Sequence, residues 1–163
     1  MVWRIRDEYI GSPVITDTDT VAKVALGTRL HAYDPVYGDG EFIYLKGVAS
    51  TVAGSWVTFF QDDNSTVLLA ANAIGPVAIA MSANVANQYG WYQIYGKAVG
   101  LALTGYLDNA LVYATATAGS VDDAVVAGDR VKLALGASAV GTPSAGFAEF
   151  EIQYPFMDDA TAA

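Results

Sequence analysis

The sequence contains no cysteine and a single histidine, His31. The lack of cysteine excludes disulfide bonds, thiolate metal sites and thiol nucleophiles. A zinc site would have to consist mostly of carboxylates, since zinc takes three or four ligands and one histidine supplies only one. Adjacent aspartates at 62–63, 122–123 and 158–159 offer the oxygen ligands that calcium takes, but none has EF-hand spacing. We interpret these pairs as solvated turns and predict no metal ion and no cofactor.

Positive charge is also scarce. Eight Lys and Arg residues stand against 17 Asp and Glu residues, which gives a formal net charge of −9. Proteins that bind a nucleic-acid backbone do so largely through Lys and Arg. The glycine-rich loops of nucleotide-binding proteins are missing as well. We therefore predict no binding of nucleic acid or nucleotides.

The sequence carries no catalytic motif. His31 lies near Asp34, but the Gly-x-Ser-x-Gly elbow of many Ser-His-Asp enzymes is missing, and the closest segment, 52–56, lacks the second glycine. A glycosidase needs two carboxylates that face one cleft, and the aromatic run at 89–95 contains no acid. We predict that the protein is not an enzyme, and we assign no catalytic residue.

One stretch, residues 67–86, has about the length of a membrane span, roughly 20 residues. It contains Asn72, Asn84 and the pair Gly75–Pro76, and such a pair is typical of a turn between two shorter elements. The N-terminus has acidic residues after its two arginines instead of the apolar run of a secretory signal. We predict no membrane association.

What the sequence does contain is an alternation of apolar and polar residues with a period of two, which is typical of half-buried β-strands. It is clearest at 148–154 and recurs at 130–135. Further strands are predicted at 41–48, 56–61, 66–70, 77–81, 91–95 and 111–117, with a hairpin between 56–61 and 66–70. The side chains predicted to point inward in the two alternating segments are Ala148, Phe150, Ile152 and Tyr154, and Val131, Leu133 and Leu135.

Turn signals recur about every ten residues, a spacing that favours a sandwich or a barrel. Short helices are conceivable at 19–26 and 68–73, but neither is long enough to build an architecture. We predict an all-β fold with a single domain, a β-sandwich of jelly-roll-like form or a small β-barrel. The domain spans residues 21–157. It follows a polar N-terminal arm at 1–20, expected to be held by neighbouring molecules, and precedes an alanine-rich tail at 158–163.

Large aromatic side chains are the candidates for anchors of the core or of an interface, because both settings favour them. The abundant alanines bury little area each, so a domain of this composition is expected to gain stability by association. We predict a homotrimer or another small homo-oligomer. The candidate anchors are Trp3, Phe42, Tyr44, Trp56, Tyr89, Trp91 and Tyr92.

Two segments carry a resemblance to a known family. Residues 83–96, which read ANVANQYGWYQIYG and follow GPVAIA at 75–80, and residues 110–124, which read ALVYATATAGSVDDA, resemble segments of small virion proteins of tailed bacteriophages. These look like capsid decoration (cement) proteins. The resemblance implies a β-rich, non-enzymatic protein that is made in the host cytoplasm and binds the major capsid protein on the outer capsid surface of the virion.

Three alternatives remain open at this stage. Decoration proteins grade into head-fibre and tail-associated virion proteins, which differ by their location on the particle. A carbohydrate-binding β module is the second alternative, with the aromatic run at 89–95 as a platform on which a sugar could stack. A hydrolase is the last, since it would need a carboxylate pair or a triad in a convergent cleft.

Overall fold

The computed structural model describes residues 1–6 and 12–160. Within these residues the chain forms eleven strands and no helix, and the strands belong to one antiparallel sheet. The prediction of an all-β, single-domain protein is confirmed, and the fold is β-sandwich-like. The strands are β1 (Arg4–Ile5), β2 (Arg29–Asp34), β3 (Gly38–Lys46), β4 (Trp56–Phe59), β5 (Thr66–Leu68), β6 (Gly75–Ala80), β7 (Tyr89–Leu101), β8 (Leu111–Ala114), β9 (Val121–Asp122), β10 (Arg130–Gly136) and β11 (Phe147–Met157).

Strand β7 is the centre of the sheet. Its first half pairs with β3 along one edge and with β6 along the other, and its second half pairs with β11. The edge of β7 opposite β3 therefore pairs first with β6 and then with β11. We call the point where β6 and β11 diverge along β7 the fork. The side chain of Gln93, fully buried at this fork, donates hydrogen bonds to the carbonyl oxygens of Tyr95 (3.0 Å) and Lys97 (3.1 Å).

Three groups of buried apolar side chains hold the layers together. The largest combines side chains of β4 and of strands β6 to β11, with Trp56 packed edge-on against Phe150 at 4.9 Å between ring centroids. The other two lie on opposite sides of β3 and β7. Strands β3 and β4 are consequently buried on both faces over most of their length.

Most predicted strands are confirmed, and so is the hairpin, which pairs β4 with β5. The two conceivable helices are not formed. Residues 20–26 are irregular, and residues 66–68 belong to β5, which ends before a turn where Asn72 has a φ of 61°. Gly75–Pro76, predicted as a turn, instead begins β6. Among the described residues, no helix has the length and apolarity needed to cross a membrane.

Three inward assignments are wrong. Ala148, Phe150, Ile152 and Val131 are buried as predicted, but Leu133, Leu135 and Tyr154 are exposed. The reason is a bulge. Leu133 and Tyr154 have φ values of 59° and 54°, and the β10–β11 register shifts between Lys132 and Ala134. Such a bulge reverses the side-chain alternation, so Ala134 points inward instead of Leu133.

The N-terminal arm contacts its own domain wherever it is described. Strand β1 pairs with β2, and the chain from residue 12 onward packs against the third group of core residues through Ile15. Trp91 Nε1 donates a hydrogen bond to the Pro13 carbonyl (3.2 Å), and Tyr44 Oη donates one to Asp19 Oδ2 (2.7 Å). Residues 7–11 of the arm and 161–163 of the tail lie outside the described residues. That neighbouring molecules hold the arm stays a prediction.

Gly96 lies at the fork, where the backbones of β3 and β7 approach each other closely. It has a φ of 99°, and a Cβ atom here would collide with the Asp39 carbonyl oxygen. Gly105 has a similar φ of 103° but no neighbour within 4 Å among the described atoms. Gly105→Ala should therefore cost about 1 kcal/mol of stability, from backbone strain alone. Gly96→Ala should cost at least about 3 kcal/mol, because strain and collision combine. Urea unfolding measures both, and equal costs would contradict the close packing of β3 on β7.

Candidate interaction surface

The sequence-predicted anchors are core residues in this structure. Phe42, Tyr44, Trp56, Trp91 and Tyr92 are fully buried. Trp3 and Tyr89 are half-buried and pack against the third core group. Within the aromatic run at 89–95, Tyr95 is the one tyrosine whose side chain is exposed to solvent. The run as a whole therefore offers no platform to a ligand.

The exposed side chains that do converge lie on one side of the long sheet, here called the outer face. Residues paired directly across antiparallel strands point to the same side of a sheet. Register pairs lead across β2, β3, β7, β11, β10 and β8 in turn, so one continuous surface crosses six strands. The pairs that define it are His31–Glu41, Glu41–Tyr95, Tyr95–Gln153, Lys97–Glu151, Glu151–Leu135 and Leu135–Leu111.

A pair of tyrosines lies at the middle of the outer face. Tyr95 and Tyr154 are 40% and 48% exposed, and their ring centroids are 5.5 Å apart with an angle of 35° between the rings. The bulge that turns Tyr154 outward creates this pair. The two rings line a cleft of about 400 Å³ together with Arg6, His31, Asp39, Gly40 and Glu41. Tyr154 also borders a second cleft, of about 280 Å³, beside Arg29 and Phe156.

Glu41 is a buried carboxylate that holds the side chains lining the 400 Å³ cleft in position. It accepts a short hydrogen bond from the hydroxyl of Tyr154. Its carboxylate oxygens also lie 3.6 Å from Arg29 Nη1 and 3.5 Å from His31 Nε2. The hydrogen bond to Glu41, together with burial, raises the pKa of Tyr154 above its ordinary value, so the phenol stays protonated and keeps donating. Glu41 thus holds residues from β2 and β11 in one arrangement.

Arg6, which directly follows β1, and Lys97 on β7 extend the polar part of the outer face. Arg6 Nη1 lies 3.0 Å from Asp39 Oδ1, and its guanidinium lies 5.2 Å from the centroid of the Tyr33 ring. Lys97 Nζ lies 2.6 Å from Glu149 Oε2 and 5.6 Å from the ring of Tyr37. The Lys97–Glu149 pair joins the neighbouring strands β7 and β11 and limits the freedom of the lysine side chain.

An apolar strip lies at the far end of the outer face. Leu111, Leu133 and Leu135, here called the leucine strip, line a shallow cleft of about 310 Å³ with Arg130, Glu151 and Gln153. Leu133 is 62% exposed because of the bulge. Contiguous exposed apolar side chains on a protein surface are typical of interaction sites.

The side chains of the outer face are of the kinds that bind other molecules. Tyrosine rings, leucines, guanidinium groups and carboxylates supply stacking, apolar contact and charge-assisted hydrogen bonds. Within residues 1–6 and 12–160, no three His, Asp or Glu side chains are grouped so that they could hold a metal ion.

Comparisons with protein-family models, with curated proteins and with solved structures found no match to this chain.

Sequence patterns do not predict this surface. They place Glu41 only at the start of a strand, and they predict that Tyr154 points inward. The sequence does contain one indication that Glu41 has a special role. A carboxylate at the start of a largely apolar strand needs a hydrogen-bond or ion-pair partner if it is buried. The partner, Tyr154, is 113 residues away in the chain.

Loss of the Glu41 carboxylate should destabilise the protein. In Glu41→Ala the Tyr154 hydroxyl and the Arg29 guanidinium lose their common acceptor, and the expected cost is about 1–3 kcal/mol. Glu151→Ala is the matched control, because Glu151 is an exposed carboxylate of the outer face that makes no ion pair among the described residues; it should change stability by less than about 0.5 kcal/mol. The midpoint of urea unfolding measures both. Equal effects would show that Glu41 does not organise the cleft.

Proposed function

We propose that this protein is a non-enzymatic virion structural protein that binds the outer surface of a phage head and stabilises the capsid shell. Its partner is the major capsid protein, and it acts as a homotrimer or another small homo-oligomer. Two observations support the proposal. The segments at 75–96 and 110–124 resemble phage decoration proteins, and the outer face exposes leucines and tyrosines on a continuous sheet.

The outer face is the observation that carries the proposal. A protein that covers a shell needs an extended surface whose side chains are already in position, because each side chain ordered on binding costs free energy. On the outer face, Glu41 fixes Tyr154, and an ion pair with the largely buried Glu149 restrains Lys97. The sheet beneath is held by the pairing of β7 with three other strands. Such a surface binds with little loss of conformational entropy.

Stabilisation of the shell then follows from mass action. A protein that binds the assembled shell but not its dissociated subunits shifts the equilibrium toward the shell. At a free concentration one hundred times its dissociation constant, the gain is about 2.7 kcal/mol per site. No reactive group is needed for this function.

Binding to undecorated phage heads tests the proposal. Mixed with heads that lack their decoration protein, the purified protein should sediment with them, saturate at a fixed number of copies and raise the temperature at which the heads release DNA. Heads mixed with an unrelated β protein of similar negative charge provide the control. Electron microscopy then separates a decoration protein, which covers the head, from a head-fibre or tail-associated protein. Failure to bind any part of the virion would contradict the proposal.

A carbohydrate-binding module is the second candidate, and one observation favours it. The rings of Tyr95 and Tyr154 are exposed in a polar cleft of about 400 Å³ that also contains Glu41 and Asp39. Ligand sites commonly combine exposed aromatic rings with a few fixed polar groups in a concave surface. Here the aromatic platform would be the pair from β7 and β11, whereas Trp91 and Tyr92 of the run at 89–95 are buried.

A saccharide panel distinguishes the two candidates. If the cleft binds sugars, a saccharide should raise the melting temperature of the protein, and Tyr95→Ala should abolish that shift. Phe60→Ala is the matched control, since Phe60 is 46% exposed but is absent from the residues that line the clefts described above. An unchanged melting temperature with every saccharide would rule this candidate out and leave the first.

A further inference from the structure

Asp34 is a buried carboxylate with no side-chain cation beside it. It is the last residue of β2, is 1% exposed, and forms no ion pair with a Lys or Arg side chain within residues 1–6 and 12–160. Transfer of a carboxylate out of water costs free energy unless hydrogen bonds and a positive charge compensate. The groups that surround Asp34 therefore have to supply both.

Three backbone N–H groups supply the hydrogen bonds. The N–H groups of Val36 (2.7 Å) and Tyr37 (3.0 Å), in the turn between β2 and β3, donate to Asp34 Oδ1. The N–H group of Val2, 32 positions away in the chain, donates to Asp34 Oδ2. Burial alone raises the pKa of Asp34, but these hydrogen bonds together outweigh burial and hold that pKa below its ordinary value. The carboxylate is therefore ionised at neutral pH.

The positive charge that acts on Asp34 is that of the N-terminus. Among the described residues it is the one cation that lowers the pKa of Asp34, and it has the smallest effect of the groups that do so. Met1 is 56% exposed, and its described polar contact is the hydrogen bond that its Sδ accepts from Trp3 Nε1 (3.2 Å). Residue 1 thus contributes little to the packing of the arm, whereas the backbone nitrogen of Val2 is held by the buried carboxylate.

The side chain that follows Met1 permits removal of this methionine. Aminopeptidases that release a terminal methionine accept a small side chain in the next position, and valine is one that they accept. The reaction is a hydrolysis, in which water gives its hydroxyl group to the Met1 carbonyl carbon, the Met1–Val2 peptide bond breaks, and the Val2 nitrogen takes the proton. Free methionine leaves. The new α-amino group has an ordinary pKa of about 8, so at neutral pH it binds a further proton from solvent.

The nitrogen that this hydrolysis frees is the atom that already contacts Asp34 Oδ2. Removal of Met1 replaces an amide N–H with an ammonium group at the same position. The existing hydrogen bond joins a neutral donor to a carboxylate, and the new one joins two opposite charges at a largely buried group, where their attraction is stronger than in water. Capture of an N-terminal amine by polar groups held in position is a recurring mode of recognition in proteins.

We propose that the Met1–Val2 bond is a processing site and that Asp34 is the receptor for the α-ammonium group of Val2. The processing supplies the buried carboxylate with a directly bound cation, which the side chains of the described residues do not provide. This inference does not depend on the proposed function, and either can fail without the other.

The ion pair fastens the N-terminal arm to its own domain. Strand β1 has only two residues, and after it the Arg6 N–H group donates a hydrogen bond to the His31 carbonyl (2.9 Å). Before it, the ring of Trp3 lies 4.9 Å from that of Phe42 and 6.4 Å from that of Tyr37, measured between centroids. The ammonium group held at the end of β2 fixes the start of this segment, so the arm is held at both ends of β1.

The intact mass of the full chain, expressed directly in a bacterial cytoplasm, tests the processing. The purified protein should lack the mass of one methionine residue. Val2→Ile retains a β-branched side chain that is too large for the aminopeptidase, so this variant should keep Met1. Val2→Thr is the matched control, because threonine is small enough, and it should lose Met1. Wild-type protein that keeps Met1 would overturn the processing site.

Two preparations of the full chain test the pairing. Both are released in vitro from a cleavable fusion partner, one beginning at Met1 and the other at Val2. The chain that begins at Val2 should melt about 2–4 °C higher, the shift expected from one strengthened contact in a chain of this size. In Asp34→Asn, which removes the charge and keeps the shape, the two preparations should melt together. Asp39→Asn is the matched control at an exposed carboxylate, and there the difference should persist.

Labelling of the α-amino group provides a readout that does not depend on the folding of Asp34→Asn. Only the unprotonated amine reacts with an amine-reactive reagent, and a carboxylate that holds the proton on the amine slows the reaction. At the same pH the chain that begins at Val2 should be labelled about tenfold more slowly than the chain that begins at Met1. Equal labelling rates, equal melting temperatures of the two wild-type preparations, or a melting difference that persists in Asp34→Asn would each overturn the pairing.

Discussion

Strand β7 is hydrogen-bonded to β3 along one edge and to β6 and β11 along the other, and the rest of the structure depends on this sharing. The fork brings together strands that are far apart in the sequence. Gly96 permits the close approach of Asp39, and the buried side chain of Gln93 satisfies backbone carbonyls where the strands diverge. Because β3 and β11 both pair with Tyr95, their outward side chains are aligned across one face.

That alignment gives the protein an outer face with an unusual combination of groups. Glu41 is buried in the sheet. Its carboxylate accepts a hydrogen bond from the exposed Tyr154 and also contacts the exposed side chains of Arg29 and His31. The bulge at Leu133 and Tyr154 turns two large side chains toward solvent that a regular strand would have buried. The same irregularity thus exposes one residue of the leucine strip and one ring of the tyrosine pair.

The sequence predicted much of the fold and little of the surface, for physical reasons. Alternating residues in 148–153 and the aromatic residues of β3 and β4 report burial directly, so strands and core residues could be assigned. A bulge leaves no trace in hydropathy, so the alternating pattern predicts the wrong side of the sheet for Leu133, Leu135 and Tyr154. The contact between Glu41 and Tyr154 depends on non-local pairing through β7, which local patterns do not contain. Of the aromatic residues predicted as anchors, five are in the core, and Trp3 and Tyr89 pack against it.

A reconstruction of phage heads that carry this protein would show which side of the molecule meets the shell. We expect density in which β2, β3, β7, β11 and β10 face the capsid subunits, with the leucine strip in contact and the Asp62–Asp63 turn toward solvent. Density with the outer face open to solvent, or heads without any added density, would contradict it.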